Sequence, residues 1–279
     1  MTDTPIYPGG PIEPNDGVPV SDARTFCPTC GRPDRPGAAC QCAQRVLVPS
    51  PTMKSAFASI RLAAILYAAY VVIILGLQVA YLIVGDDATP VFEVRAALLT
   101  DGLFAIVSLI ALWCVRRDVG PMLRPPRERR WLAYGVGLSL VTYMLATLLA
   151  SVWTAMFGQD DTHYYTDAFM AADLPMGLAI ALCFVSVAVF PAVSEEIGFR
   201  GVIASALRRT LDRREATLVT ALLFASIHIN PFMFVNLFLM GLVLAFLVAR
   251  CGSLLPGIAL HFCHNAFCVL HELVPGFPG

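Results

Sequence analysis

Long runs without charge constrain this chain more than any other feature. Residues 62–84, 131–153 and 176–194 contain no Asp, Glu, Lys or Arg. A helix that crosses the hydrocarbon core needs roughly 20 such residues. In lipid, a helix satisfies all of its own backbone groups, which an isolated strand cannot do. The pattern therefore points to an all-α, multi-pass helical bundle in a bilayer. Composition agrees, because 57% of the 279 residues are hydrophobic and 14% are charged, against about 25% charged in a soluble domain. The net charge of −1 gives no electrostatic basis for a nucleic-acid partner.

Seven runs are candidate spans: 62–84, 96–115, 131–153, 176–194, 216–230, 234–250 and 254–273. The shortest, 216–230, stops at Asn230-Pro231, where proline ends a helix. That break is expected to face a cavity rather than lipid. Arginines orient the bundle. The 116–130 connection carries Arg116, Arg117, Arg124, Arg127, Arg129 and Arg130, and the 200–214 connection carries Arg200, Arg208, Arg209, Arg213 and Arg214. The 157–175 connection has aspartates and no Lys or Arg. Positive-inside counting places the N-terminus, both basic connections and Arg250 in the cytoplasm of a cell-membrane protein, with the C-terminus outside. The first fifty residues are polar and Pro/Gly-rich, with no apolar signal-peptide core, so no cleaved leader is expected.

Ahead of the spans, residues 1–26 read as a disordered tail, 43–58 as a linker, and 59–279 as the transmembrane domain. Between tail and linker, Cys27, Cys30, Cys40 and Cys42 stand at C-x2-C-x9-C-x-C. On the cytoplasmic side disulfides are disfavoured, and four thiolates suit tetrahedral zinc. Gly31, Pro33, Pro36 and Gly37 favour the turns of a small knuckle, so residues 27–42 are expected to hold a structural zinc. The competing reading is a tail with free thiols. Cys114, Cys183, Cys251, Cys263 and Cys268 lie in or beside spans, where cysteine behaves as a small hydrophobe.

Ionisable residues within spans are expensive and point to function. Here they are Asp101, Glu195, Glu196, His228, His261, His264 and His271. Glu196 and Arg200, four apart, share a helix face and can pair. Glu195 is rotated from Glu196 by about 100° and is free to point elsewhere. On the stretch alone, both glutamates could equally snorkel at a helix end. His228 follows Phe224 by four in FASIH, and either packing or chemistry suits it. His261 and Asn265 share a face in HFCHN. His264 is expected to bond a neighbouring helix, and Asp101 and His271 receive no role. By helical rise His261 lies roughly 10 Å and His228 roughly 18 Å from the cytoplasmic ends of their spans. Glu195 is expected near the cytoplasmic end of its own span, so the three can meet in a cavity open to the cytoplasm.

EEIGFR, FASIH and HFCHN, on three apolar segments in that order, resemble the CAAX protease and bacteriocin-processing family of intramembrane proteases. The proline before the glutamates, Arg200-Gly201 after them, and GSLLPGIALH ending at His261 add to the likeness, which covers about 130–270. The resemblance implies a membrane-embedded peptidase. Glu195 would be the catalytic glutamate working with His228 on a water, and His261 and Asn265 would stabilise the oxyanion or hold the water. Glu196 and Arg200 would orient the site. His264 and the cysteine segment lie outside the family pattern.

The chemistry stands independently of the likeness. Peptide hydrolysis needs a base for water and a donor for the developing oxyanion. A carboxylate in a low-dielectric cavity is a stronger base than one in water, and His261 and Asn265 offer N–H donors. A divalent metal held by one Glu and two His, as in a metalloprotease, is the alternative activator. HExxH, GxGD and GxSG motifs are absent. The expected function is an intramembrane hydrolase acting on a peptide or membrane-protein substrate, with the lipid bilayer as its other partner. The alternative is a proton-coupled transporter or a partner-binding scaffold with the same buried site.

Overall fold

The computed structural model describes residues 53–158 and 166–274. The expected tail and four-cysteine segment lie outside the described residues. Within them every regular element is helical. The principal helices are α1 (Met53–Val84), α2 (Pro90–Cys114), α3 (Arg130–Phe157), α4 (Met176–Leu207), α5 (Arg213–Ser226), α6 (Pro231–Cys251) and α7 (Leu255–Leu273).

Their ends follow local chemistry. Thr89 accepts from Phe92 N at 3.3 Å, with Pro90 opening α2. Asp212 and Glu215 close a reciprocal capping box on α5. Asn230 caps α6 by accepting from Phe232 N and Met233 N at 3.0 and 3.3 Å, ahead of Pro231. Short polar side chains at the first turn satisfy N–H groups that the helix leaves free, and proline at the start forfeits none that is needed. α3 and α6 end on left-handed Gly158 and Gly252.

Five helical stretches are long and apolar enough to cross a membrane: Ala58–Asp87, Pro90–Cys114, Arg130–Phe157, Met176–Leu207 and Pro231–Cys251. The expectation of seven spans is thus met in five among the described residues. The 216–230 segment forms α5, whose 14 residues rise about 21 Å and fall short of the roughly 30 Å core. α7, at 19 residues, has the length, but three histidines and Glu272 lower its apolarity.

The larger correction concerns α4. The sequence pattern ends this span at 194 and places Arg200 in a cytoplasmic connection. Instead the helix continues to Leu207, so Glu195, Glu196 and Arg200 stand inside it and are buried. Hydropathy counts each charge as a demand for water. Here Arg200 and Glu196 satisfy each other within the bundle, and the helix has no reason to stop.

α4 is irregular around these charges. Val185–Val189 and Glu196–Ile203 are π-helical, flanking Phe190–Glu195. Pro191 has no N–H for the carbonyl four residues back, that of Val187. Asn265 of α7 supplies the missing donor, its Nδ2 lying 2.9 Å from Val187 O. Neighbouring helices restoring freed backbone groups is how membrane helices tolerate proline.

The basic connections gather at one end of the bundle. Arg209 pairs with Asp118 at 2.6 Å, Arg213 donates to Ala249 O, and Ser253 donates to Arg124 O at 2.7 Å. A stacked aromatic column, Tyr70 on Phe104 and on Phe199, with Phe224 edge-on to Phe199, ties α1, α2, α4 and α5 together. α3 and α7 approach closely at Gly135, where a Cβ would lie 2.3 Å from Pro256 O. Small residues permit such contacts where lipid provides no hydrophobic drive.

Candidate active site

Two helices, α4 and α7, and the turn after α5 bring the expected residues together. Glu195 closes the α-helical turn of α4 and is 8% exposed, while Glu196 opens the next π turn at 0%. The π geometry keeps two consecutive carboxylates aimed at different partners. Snorkelling is excluded, because neither reaches a helix end.

Glu196 is bound on two sides. Arg200 Nη1 donates to its Oε1 at 2.7 Å, and His261 Nδ1 lies 3.3 Å from the same oxygen. Arg200 is itself anchored, with Nη2 donating to Gly241 O at 3.3 Å and its guanidinium 4.3 Å over the Phe224 ring. Gly257 allows this arrangement, since a Cβ there would sit 3.0 Å from Glu196 Oε2. A carboxylate already accepting from arginine can only accept from His261 as well, so Nδ1 of His261 carries a proton. Its Nε2 then points to Glu195, 4.0 Å from Oε2. That glutamate oxygen is buried without a hydrogen-bond partner. Glu195 is therefore the carboxylate left available.

His228 follows the last turn of α5. Its Nδ1 lies 2.9 Å from Phe224 O; a carbonyl only accepts, so Nδ1 carries the proton and Nε2 is left free. The turn that places it is strained, because Ile229, a β-branched residue, adopts φ 48°. The Phe224 ring packs against both histidines, with centroids 5.2 Å from His228 and 5.9 Å from His261. Asn265 gives one amide hydrogen to Val187 O and keeps a second. His264 lies 3.0 Å from Thr142 Oγ1 and joins α3 to α7. His271 meets Tyr143 Oη at 2.6 Å, away from the glutamates.

Two free imidazole Nε2 atoms and one free carboxylate oxygen are the right donor chemistry for a divalent metal, each histidine being backed by an acceptor on Nδ1. The donors do not close on one point, however. Among the described residues no group of three or more His, Cys, Asp or Glu side chains is arranged to hold a metal ion.

Sequence reasoning missed Phe224 as the packing centre of the site, and Tyr70. Tyr70 is fully buried, bonded to Ser108 at 2.6 Å. A Cβ on Gly198 would lie 2.0 Å from its hydroxyl. A tyrosine in the middle of an uncharged run was the available signal, because a buried phenol needs a partner.

Residues 177–267 match the family model described as type II CAAX prenyl endopeptidase Rce1-like, a family of membrane proteases. Glu195, Glu196, Arg200, His228, His261 and Asn265 all fall within the match. No curated protein and no solved structure matches the chain.

Proposed function

With a CAAX-endopeptidase-like membrane protease core across residues 177–267 as the premise, we propose that the chain is an intramembrane endopeptidase in which Glu195 activates water. One observation carries the reading. Each of the two adjacent buried carboxylates keeps an unpartnered Oε2, but Glu196 has its Oε1 held by Arg200 and His261, whereas Glu195 has no such clamp and faces His261 Nε2.

In the proposed reaction, Glu195 takes a proton from water as the water oxygen attacks the scissile carbonyl. Nε2 of His228 accepts a hydrogen bond from the same water and aims it. Charge on the tetrahedral oxygen is met by the second amide hydrogen of Asn265, and by His261 when its Nε2 as well as its Nδ1 carries a proton. Glu195 then passes its proton to the leaving amine as the C–N bond breaks. Burial supports each step, because electrostatic interactions strengthen where water is scarce. The substrate is a peptide or membrane-associated protein reaching the site from the end of the bundle that carries the basic connections. The arginines of those connections support a cytoplasmic position for that end.

The test is cleavage in liposomes of a quenched, farnesylated CAAX reporter peptide, alongside proteomic trapping of native substrates on the Glu195→Gln chain. Glu195→Gln should insert and melt as wild type yet lose about 10²–10⁴-fold in kcat, the range of general-base contributions. Wild-type turnover by Glu195→Gln would sink the mechanism. Proton flux without cleavage by the wild type would favour a transporter.

A further inference from the structure

Asp101 is a carboxylate in the middle of a membrane-spanning helix that the mechanism leaves unused. It sits on α2, outside the segment matched to the protease family, on the stripe that also presents Phe104, Ser108 and Ala111 to the bundle. Its Oδ2 accepts from the hydroxyl of Ser186, a buried residue of the Val185–Val189 π turn in α4. A serine in a helix ordinarily returns its proton to a carbonyl one turn back, as Ser194 does to Phe190 O at 2.7 Å. Ser186 gives its single proton to another helix instead. The next residue, Val187, is held through its carbonyl by Asn265 of α7. Two adjacent residues of one irregular turn are thus tied to two different helices. Pro191 follows, and Glu195 stands about one turn beyond it.

A carboxylate inside a span is costly to insert, and a packing role alone would be filled by an apolar residue. A hydroxyl–carboxylate bond is short, strong and directional, and such a bond can hold the pitch of a helix whose own ladder is interrupted. We propose that Asp101 and Ser186 are positioning residues for Glu195: their bond clamps the π turn to α2 and so sets where the catalytic carboxylate points. The proposal rests on the protease reading only for its activity arm.

The test uses the full chain in nanodiscs, with Asp101→Leu and the milder Ser186→Ala breaking the bond from either side. Asp101→Asn keeps an acceptor for the Ser186 hydroxyl. Hydrogen–deuterium exchange, followed peptide by peptide, should show faster exchange over 185–197 in Asp101→Leu and Ser186→Ala. Exchange over 231–251 should stay at the wild-type rate, and Asp101→Asn should restore protection. With the farnesylated CAAX reporter, kcat should fall roughly tenfold or more while KM holds, as expected for a misplaced catalytic group, and the Asp101→Leu/Ser186→Ala double variant should be no worse than either single. Unchanged exchange over 185–197 in both single variants would overturn the proposal. So would an equal rise across all helices, or an Asp101→Asn chain as impaired as Asp101→Leu. If the wild type cleaves nothing, the protease reading fails, and the exchange pattern still decides the clamp.

Discussion

Arg200 carries the heaviest structural burden of any single side chain at the site. It is 1% exposed, bonded to Glu196 and Gly241 O, and stacked on Phe224. Truncating one partner of a buried ion pair leaves the other charge uncompensated. Arg200→Ala should therefore destabilise the chain by about 3–5 kcal/mol, seen as a lower melting temperature in detergent. Arg200→Lys keeps the charge and loses the planar fork, so it should fall between the two. Glu195→Gln should leave the same melt unmoved, because no partner depends on its oxygen. The pairing of Glu196 with Arg200 was legible from their spacing of four. The role of Asn265 toward Val187 was not, because no sequence rule says which carbonyl a distant amide will meet.

At the scale of elements, α4 and the α5–α6 turn are where local irregularity creates the site. The second π segment passes beneath Tyr70, with Gly198 leaving room for its hydroxyl. Ser108 donates to Phe104 O at 2.6 Å, so the Tyr70 hydroxyl must be the donor in its bond to Ser108. The phenol is thereby fixed and cannot swing away. Gly198→Ala should cost about 1–3 kcal/mol, as overpacking does. Tyr70→Phe in the same chain should recover part of that in the melt, since the ring carbons remain within 2.9–3.1 Å of the new methyl. At the other turn, Ile229 holds a left-handed conformation that asparagine adopts more readily. Ile229→Asn should raise the melting temperature slightly and preserve activity, whereas Ile229→Pro, barred from positive φ, should lose both. Pro191, inside an apolar run, offered the signal for one break in the sequence, and Asn-Pro at 230–231 announced another. That one break would be absorbed as π-helix inside a continuous span, and the other would be a strained turn carrying His228, depended on contacts from other helices.

For the whole molecule, topology and the cysteine segment are open to direct measurement. In intact cells a cysteine replacing Arg127 should resist a membrane-impermeant maleimide, and one replacing Asp173 should react, each read against the parent chain. The reverse pattern would invert the orientation proposed from the arginines. A zinc on Cys27, Cys30, Cys40 and Cys42 is likewise proposed. The purified chain should carry about one zinc, and a Cys27→Ser/Cys40→Ser chain should carry none. The sequence by itself determined an all-helical membrane bundle, because uncharged runs of that length have no other way to satisfy their backbones in lipid. It also marked six side chains to follow, because EEIGFR, FASIH and HFCHN set them apart from the other costly ionisable residues of the spans. Only the tertiary structure decided that the charges lie within α4 rather than beyond its end, and that His261 reaches across from α7 to hold Glu196 as well. The physical reason is the same for both: a buried charge is tolerated or available according to its partners, and those partners come from helices far away in the chain.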